Sequence, residues 1–137
     1  MAAVLVDTGF LVALYRRRDD LHDAALRWLE TMPAPLITAS PVLVEACHFL
    51  GPAGKVALHQ WVIDGGMRVF ETGTEVLPRL ARSIRRYAQL DIDLADAALI
   101  WLAEEAGVRR ILTVDQRDFT TFRLRGRKSF DLVRWYS

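Results

Sequence analysis

Short apolar runs alternate along this chain with longer stretches whose apolar residues recur every three or four positions, a pattern that predicts strands alternating with helices. Residues 3–6 form one continuous apolar run and read as a short buried strand ending at Asp7. Residues 10–17 and 21–31 read as helices, with Asp19 or Asp20 placed to cap the second. Pro33 and Pro35 break the chain before a brief strand at 36–38. Ser40-Pro41 then opens a helix through residue 50, since the first helical turn needs no backbone donor from proline. Gly51-Pro52 stops it, and a further helix at 53–63 ends at Gly65-Gly66. Residues 68–71 are strand-like. Residues 76–89 are amphipathic, with Val76, Leu77, Leu80, Ile84, Tyr87 and Ala88 on one side. A nearly all-apolar helix at 93–106 is closed by Gly107, a strand at 110–114 ends at Asp115, and a last strand is expected at 130–135.

This alternation implies an α/β sandwich around a mainly parallel sheet. In such a sheet the working crevice lies at the carboxyl ends of the strands. Asp7 and Asp115 each follow an apolar strand and stand at such an end. Asp93 and Asp96 open the helix at 93–106, and Glu45 lies inside the helix at 40–50. Both helices are apolar all round, so both are expected to be buried. A carboxylate facing inward there must be neutralised, because desolvating it costs several kcal/mol or more. Taken singly, each acid has an ordinary role open to it: Asp7 or Asp93 as a cap, Asp96 in a favourable first turn, Asp115 with Asp118 as loop acids, Glu45 paired with an arginine. Taken together near one sheet edge, Asp7, Glu45, Asp96 and Asp115 predict a bound divalent cation. All-oxygen ligation favours Mg²⁺ or Mn²⁺ over zinc.

Size and composition narrow the reading. A chain of 137 residues predicts one domain, residues 1–137, and an apolar fraction of 52% argues for a compact core against disorder. No apolar run is long enough for a membrane helix, and the N-terminal run lacks a basic segment and is broken by Asp7, so it does not read as a signal peptide. The lone Cys47 excludes an internal disulfide framework and a cysteine zinc site, which leaves a cytoplasmic location as the default. The net charge of +1 does not by itself suggest nucleic acid, but 16 of the 18 basic residues are arginine. They cluster at Arg16-Arg17-Arg18, at Arg79, Arg82, Arg85 and Arg86, at Arg109-Arg110, and at Arg123, Arg125 and Arg127 with Lys128. A guanidinium fork bonds phosphate bidentately, although arginine runs are also ordinary solvated faces.

Other chemistries are disfavoured. His22, His48 and His59 are scattered, so each reads as a surface or packing residue and not as a metal ligand. There is no glycine-rich phosphate loop and no nucleophile elbow. An aspartyl-phosphate phosphatase or phosphoacceptor built on Asp7 is a further alternative, but glycine at position 9 breaks the D-x-D that such phosphatases want. Carboxylates holding Mg²⁺ suit phosphodiester hydrolysis, since the metal makes hydroxide available near neutral pH and offsets charge in the transition state.

The residues on which this rests resemble the PIN domain nucleases. The resemblance spans essentially the whole chain and is carried by the opening V-L-V-D-T-G-F-L-V-A-L, Glu45 in a helix after a short strand, L-D-I-D-L-A-D-A-A-L-I-W-L-A, and T-V-D-Q-R-D-F. It implies a three-layer α/β/α fold and a Mg²⁺- or Mn²⁺-dependent endoribonuclease of the kind found as VapC toxins in toxin–antitoxin pairs. By position, Asp7, Glu45, Asp96 and Asp115 match the family's acidic quartet. Thr8 matches a hydroxyl that often follows the first acid, and Thr113 one that positions a metal-bound water. Asp93 and Asp118 fall where the family sometimes adds an acid, and whether Asp93 or Asp96 points inward is left open, with Asp96 favoured. Gly9 departs from the serine common after D-T. The resemblance also implies an RNA substrate, with Arg16, Arg17, Arg85, Arg86 and Arg117 as candidate backbone contacts, a homodimer, and a cognate antitoxin. Trp28 and Phe49 are candidates for a dimer or antitoxin face, against the plainer reading that both pack in the core. A housekeeping nuclease or a non-catalytic RNA-binding protein of the same fold is the alternative.

Overall fold

The computed structural model describes residues 2–137. Five strands form one sheet in the order β3-β2-β1-β4-β5, and every neighbouring pair is parallel. The strands are β1 (Val4–Val6), β2 (Leu36–Ala39), β3 (Arg68–Phe70), β4 (Arg110–Leu112) and β5 (Asp131–Leu132). The helices are α1 (Thr8–Tyr15), α2 (His22–Thr31), α3 (Ser40–His48), α4 (Pro52–Ile63), α5 (Leu77–Arg86), α6 (Leu94–Ala106) and α7 (Gln116–Thr121). Helices α1 to α4 accompany the chain outward from β1 to β3, and α5 and α6 bring it back to β4. Right-handed crossovers place these two sets on opposite faces, which makes the three layers. Among the described residues, no helix is long and apolar enough to cross a membrane.

β1, β2 and β4 are short apolar runs, fully buried except for the half-buried Arg110, as expected of a sheet covered on both faces. The core grows from them. Phe10 of α1 is fully buried and meets the rings of Trp28 and Trp135 edge-on, with centroids 5.9 and 4.9 Å away. Trp28 is therefore a core residue and not part of an exposed face. Helix α6 buries eight of its 13 residues, from Ala95 through Ala103, and stops at Gly107, whose left-handed φ of 67° suits a residue without Cβ.

Several boundaries depart from the pattern reading, each for a local reason. α1 starts at Thr8, two residues earlier than expected, because the Asp7 carboxylate accepts the Thr8 N–H at 2.7 Å and acts as the cap. It ends at Tyr15, leaving Arg16 to Arg18 outside the helix. Residues 76–89 are not one helix: α5 is flanked by single 3₁₀ turns at Thr74–Val76 and Ala88–Leu90. α3 is not buried all round. It buries Val42 and Ala46, while Val44 is 61% exposed and Phe49, just beyond its end, 56% exposed. The last strand is only two residues long; beyond it Val133 adds one backbone bond to the Ile111 carbonyl at 2.9 Å, and Trp135 packs into the core. Helix α7 has no apolar periodicity to announce it.

β1 lies at the centre of the sheet, and the chain leaves it toward β2 on one side and returns to β4 on the other. The two adjacent carboxyl ends diverge there and open a crevice. Buried hydrogen bonds fix its floor. Thr38 Oγ1 donates to the Val6 carbonyl at 2.7 Å, Asp7 N–H to the Leu112 carbonyl at 3.0 Å, and the Trp135 indole N–H to the Thr113 carbonyl at 3.1 Å.

Candidate active site

A cleft of about 680 Å³ occupies that crevice, and Asp7, Glu45, Asp93, Asp96 and Asp115 all line it. Asp7 projects from the end of β1, and Asp115 follows β4 by three residues. Asp115 also caps α7: its Oδ1 accepts the Asp118 N–H at 3.1 Å. Asp93 caps α6, accepting the Asp96 N–H at 2.9 Å, and this capped turn sets Asp96 into the cleft. Glu45 reaches the same cleft from α3.

The tightest group is not the quartet expected from the sequence. One carboxylate oxygen from each of Asp96, Asp115 and Asp118 lies within 4.8 Å of the others. Asp7 joins this trio through Thr113. The Thr113 hydroxyl donates to Asp7 Oδ2 at 2.7 Å and accepts the Asp115 N–H at 2.9 Å, so it ties the ends of β1 and β4 together. Its only proton is committed to Asp7. Thr113 thus orients a carboxylate, and any water it meets must donate to its remaining lone pair. Glu45 stands on the other side, against Asp93 and Thr8.

Electrostatics show what the arrangement lacks. Burial, followed by the repulsion of Asp115 and Asp93, raises the Asp7 pKa to about 6 against the opposing hydrogen bonds from Thr113 and Thr8. Burial raises Asp96 to about 8, with Asp93, Asp7 and Asp115 adding to the rise. Glu45 rises to about 7, first through desolvation and then through the facing Asp93 carboxyl, while the Thr8 hydroxyl works against it. Asp118 is raised by desolvation and by Asp115. Among the described residues, the only ion pairs are those of Arg79 with Glu104 and Glu105, so no cationic side chain is paired with any acid of the cleft. Thr8 Oγ1 is buried there facing the Glu45 carboxyl, too far or too poorly aligned for a full hydrogen bond. An all-oxygen donor set, a converging trio, an incompletely bonded hydroxyl and uncompensated negative charge together fit a hard divalent cation.

The expected arginines scatter. Arg16 lines the mouth of the cleft, with Asp19 and Asp20 beside it. Arg17, one residue on, lines a separate hollow with His22 and Leu26. Arg117 lies on α7 near Asp118 and lowers its pKa. Arg85 and Arg86 lie on α5, and Arg86 borders a different cavity altogether. The cleft also gathers Asp19, Asp20, Phe49 and Val114, which the sequence pattern does not place there. Nothing local marks them, because they arrive through the α1–α2 turn, the end of α3 and the turn after β4. Gly9 has a structural account: a Cβ at this position collides with the Val114 side chain. Serine there requires Val114 to rotate away.

Replacing Thr113 with Val keeps the shape but removes the tie. Asp7 loses a donor and the Asp115 N–H is left unpaired in a half-buried turn. The expected cost in metal-free buffer at neutral pH is about 1–3 kcal/mol, read by urea denaturation, and an unchanged midpoint contradicts this role.

The comparisons with known proteins agree with this geometry. The PIN domain family model matches residues 4–123. The chain is 25% identical over 134 residues to Ribonuclease VapC26 of Mycobacterium tuberculosis (strain ATCC 25618 / H37Rv), covering 95% of this chain and 99% of that protein. Its fold matches the crystal structure of M. tuberculosis VapC20, described as a sarcin-ricin loop cleaving toxin, with a TM-score of 0.76 and 22% identity over 83% of this chain and 91% of that one. With the family model spanning all but the ends of the chain, and with acids gathered at the carboxyl edge of a parallel sheet, this protein belongs to the PIN domain family.

Proposed function

We propose that this protein is a Mg²⁺- or Mn²⁺-dependent endoribonuclease acting as the toxin of a toxin–antitoxin pair. The observation that carries the reading is the convergence of Asp96, Asp115 and Asp118, with Asp7 tied to them through Thr113, in a cleft where no arginine or lysine is paired with them. The naming of VapC26 as a ribonuclease and of VapC20 as an RNA-cleaving toxin supports the substrate class.

Asp7, Asp96, Asp115 and Asp118 are the residues that would hold the cation, with Glu45 and Thr8 on the facing wall. A bound divalent cation supplies Lewis acidity at the phosphoryl oxygen and a water acidic enough to ionise near neutral pH. The protein's own contribution is placement. Thr8 N–H and the Thr113 hydroxyl fix both oxygens of Asp7, so its carboxylate does not reorganise during the reaction. The caps at Asp93 and Asp115 fix the first turns of α6 and α7, and with them Asp96 and Asp118. Arg16 at the cleft mouth meets the incoming phosphate and offsets the negative rim. Val44 and Phe49, together with Val56 and Ile63 of α4, leave apolar surface uncovered around α3 and α4, which suits a homodimer contact or an antitoxin segment.

Attack by water on phosphorus releases the 3′-oxygen. The expected products therefore carry a 5′-phosphate and a 3′-hydroxyl, and cleavage stops with a chelator and returns with Mn²⁺. A 2′,3′-cyclic phosphate, or cleavage that persists in chelator, contradicts the reading. Labelled RNA fragments resolved by mass decide it.

A further inference from the structure

The arginines that the site does not use form a second cavity. The clusters at residues 79–86 and 123–127 lie far apart in sequence, yet Arg79, Arg82, Arg86, Arg123, Arg125 and Arg127 all line one hollow of about 340 Å³. Arg79 is neutralised by Glu104 and Glu105, at 3.2 and 2.8 Å. Arg123 serves the fold, donating to the carbonyls of Thr120, Thr121 and Phe122 at the end of α7. The other four have no anionic partner: among the described residues, the guanidiniums of Arg82, Arg86, Arg125 and Arg127 make no hydrogen bond or ion pair, and that of Arg86 lies over the Tyr87 ring, 5.3 Å from its centroid. Glu104 is the hollow's one carboxylate and is engaged by Arg79 and the Arg125 N–H, so concentrating four unpaired guanidiniums there is unfavourable unless a further anion shares it.

We infer that this hollow binds the phosphate backbone of RNA and anchors the strand that is cut in the acidic cleft. The inference rests on the ribonuclease reading. Three features favour a nucleic-acid backbone. Arg79, Arg82 and Arg86 recur at helical spacing along α5, so they form a row about 10 Å long and suit several phosphates in succession. Against six arginines, the apolar lining is only Ile100, Leu124 and the Tyr87 ring, whose hydroxyl already accepts the Arg123 N–H, too little to anchor a peptide. The third feature is the connection to the acids. Asp96 of the cleft, Ile100 and Glu104 of the hollow are spaced four residues apart on α6, hence along one side of that helix and about 12 Å from end to end. α7 makes the same link, with Asp118 among the acids and Arg123 just past its other end. A strand of a few nucleotides spans the two sites. The backbone also supports a shaped site: Arg127 has φ 60°, uncommon for a residue other than glycine, and the Glu104 carboxylate holds the turn by accepting the Arg125 N–H at 2.9 Å.

The test measures binding without cleavage. A fluorescein-labelled 16-nucleotide polyuridine RNA is titrated with full-length protein in EDTA, by anisotropy, across a range of salt. Arg82→Gln with Arg125→Gln is compared with the wild type and with Arg27→Gln plus Arg134→Gln, two exposed arginines that line neither cavity. The first pair is expected to weaken binding roughly tenfold at low salt and to flatten the slope of log K against log salt by about 1.4, with no change in melting temperature. The control pair, equal in charge, is expected to change both far less. Equal losses in the two pairs mean diffuse charge and overturn the inference, as does an unchanged affinity or slope for the first pair. A polyglutamate of matched charge that binds as tightly as RNA, and is lost with the same two arginines, overturns it in favour of an acidic protein partner. None of these results touches the product-end experiment, so the ribonuclease reading stands or falls separately.

Discussion

Asp96→Asn should abolish metal-dependent RNA cleavage while leaving the fold intact. The carboxylate sits half-buried at the first turn of α6, beside Asp115 and Asp118, and its pKa is raised to about 8 chiefly by desolvation. Its local partner is Asp93, whose backbone N–H favours the ionised carboxylate and whose side chain accepts the Asp96 N–H, and an asparagine oxygen can still accept from the Asp93 N–H. Asparagine therefore costs the fold little, since it resembles the neutral carboxyl that the metal-free cleft favours. A cation held by this cluster would lose one of its ligands. Metal-ion stabilisation of transition-state charge amounts to several kcal/mol, and each ~1.36 kcal/mol is tenfold in rate, so kcat should drop by at least about 10³. The check is a single-turnover cleavage assay beside thermal melting in chelator. Activity within tenfold of wild type refutes a ligand role for Asp96. Lost activity together with a lost cooperative transition assigns it to the fold instead.

The contrast between the acids and the arginines shows what a single sequence makes legible. Apolar runs such as 4–6, 36–39 and 110–112 announce buried strands without help from the rest of the chain, and an acid directly after one is marked by position alone. Asp7 is visible for that reason, and Asp115 because residues 110–114 read as a single strand leading up to it. Helix α7 is not. Gln-Arg-Asp-Phe-Thr-Thr is short and polar, and a capping aspartate followed by a second acid three residues on looks the same as a loop. Asp118 consequently reads as an accessory, although its carboxylate lies in the closest trio. The side on which an arginine emerges is equally hidden. Arg16 and Arg17 are adjacent, but just past the end of α1 one lines the acidic cleft and the other a separate hollow. The joining of residues 79–86 with 123–127 depends on how α5 and the segment after α7 pack against α6, and no local pattern carries that information. The same holds for Trp28, whose place beside Phe10 is decided by α2 folding back onto α1.

The pH dependence of stability offers a test that needs no substrate. A carboxyl group whose folded pKa lies above its unfolded value binds protons more tightly when folded. Its stabilising contribution is complete below the unfolded pKa and is lost as pH rises through the folded one. Asp7 moves from 3.8 to about 6, Glu45 from 4.5 to about 7, and Asp96 from 3.8 to about 8. Metal-free protein should therefore weaken steadily between about pH 4 and pH 8. Asp7, only 6% exposed, accounts on its own for roughly 3 kcal/mol, since each tenfold gain in proton affinity on folding is worth about 1.4 kcal/mol. A divalent cation competes with protons for the same oxygens and binds only the folded cleft, so its effect runs the opposite way. The gain in melting temperature on adding 10 mM Mg²⁺ or Mn²⁺ should be small at pH 5 and reach about 10 °C at pH 8. Asp7→Asn separates the causes. In chelator at pH 8 it should melt at or above the wild type, at pH 5 the difference should be smaller, and at pH 8 it should gain much less from metal. A gain that is the same at both pH values removes the carboxylate cluster as the source. If Asp7→Asn clearly destabilises the metal-free protein at pH 8, the bonds from Thr8 and Thr113 outweigh the repulsion, and Asp7 is there to hold β1 to β4.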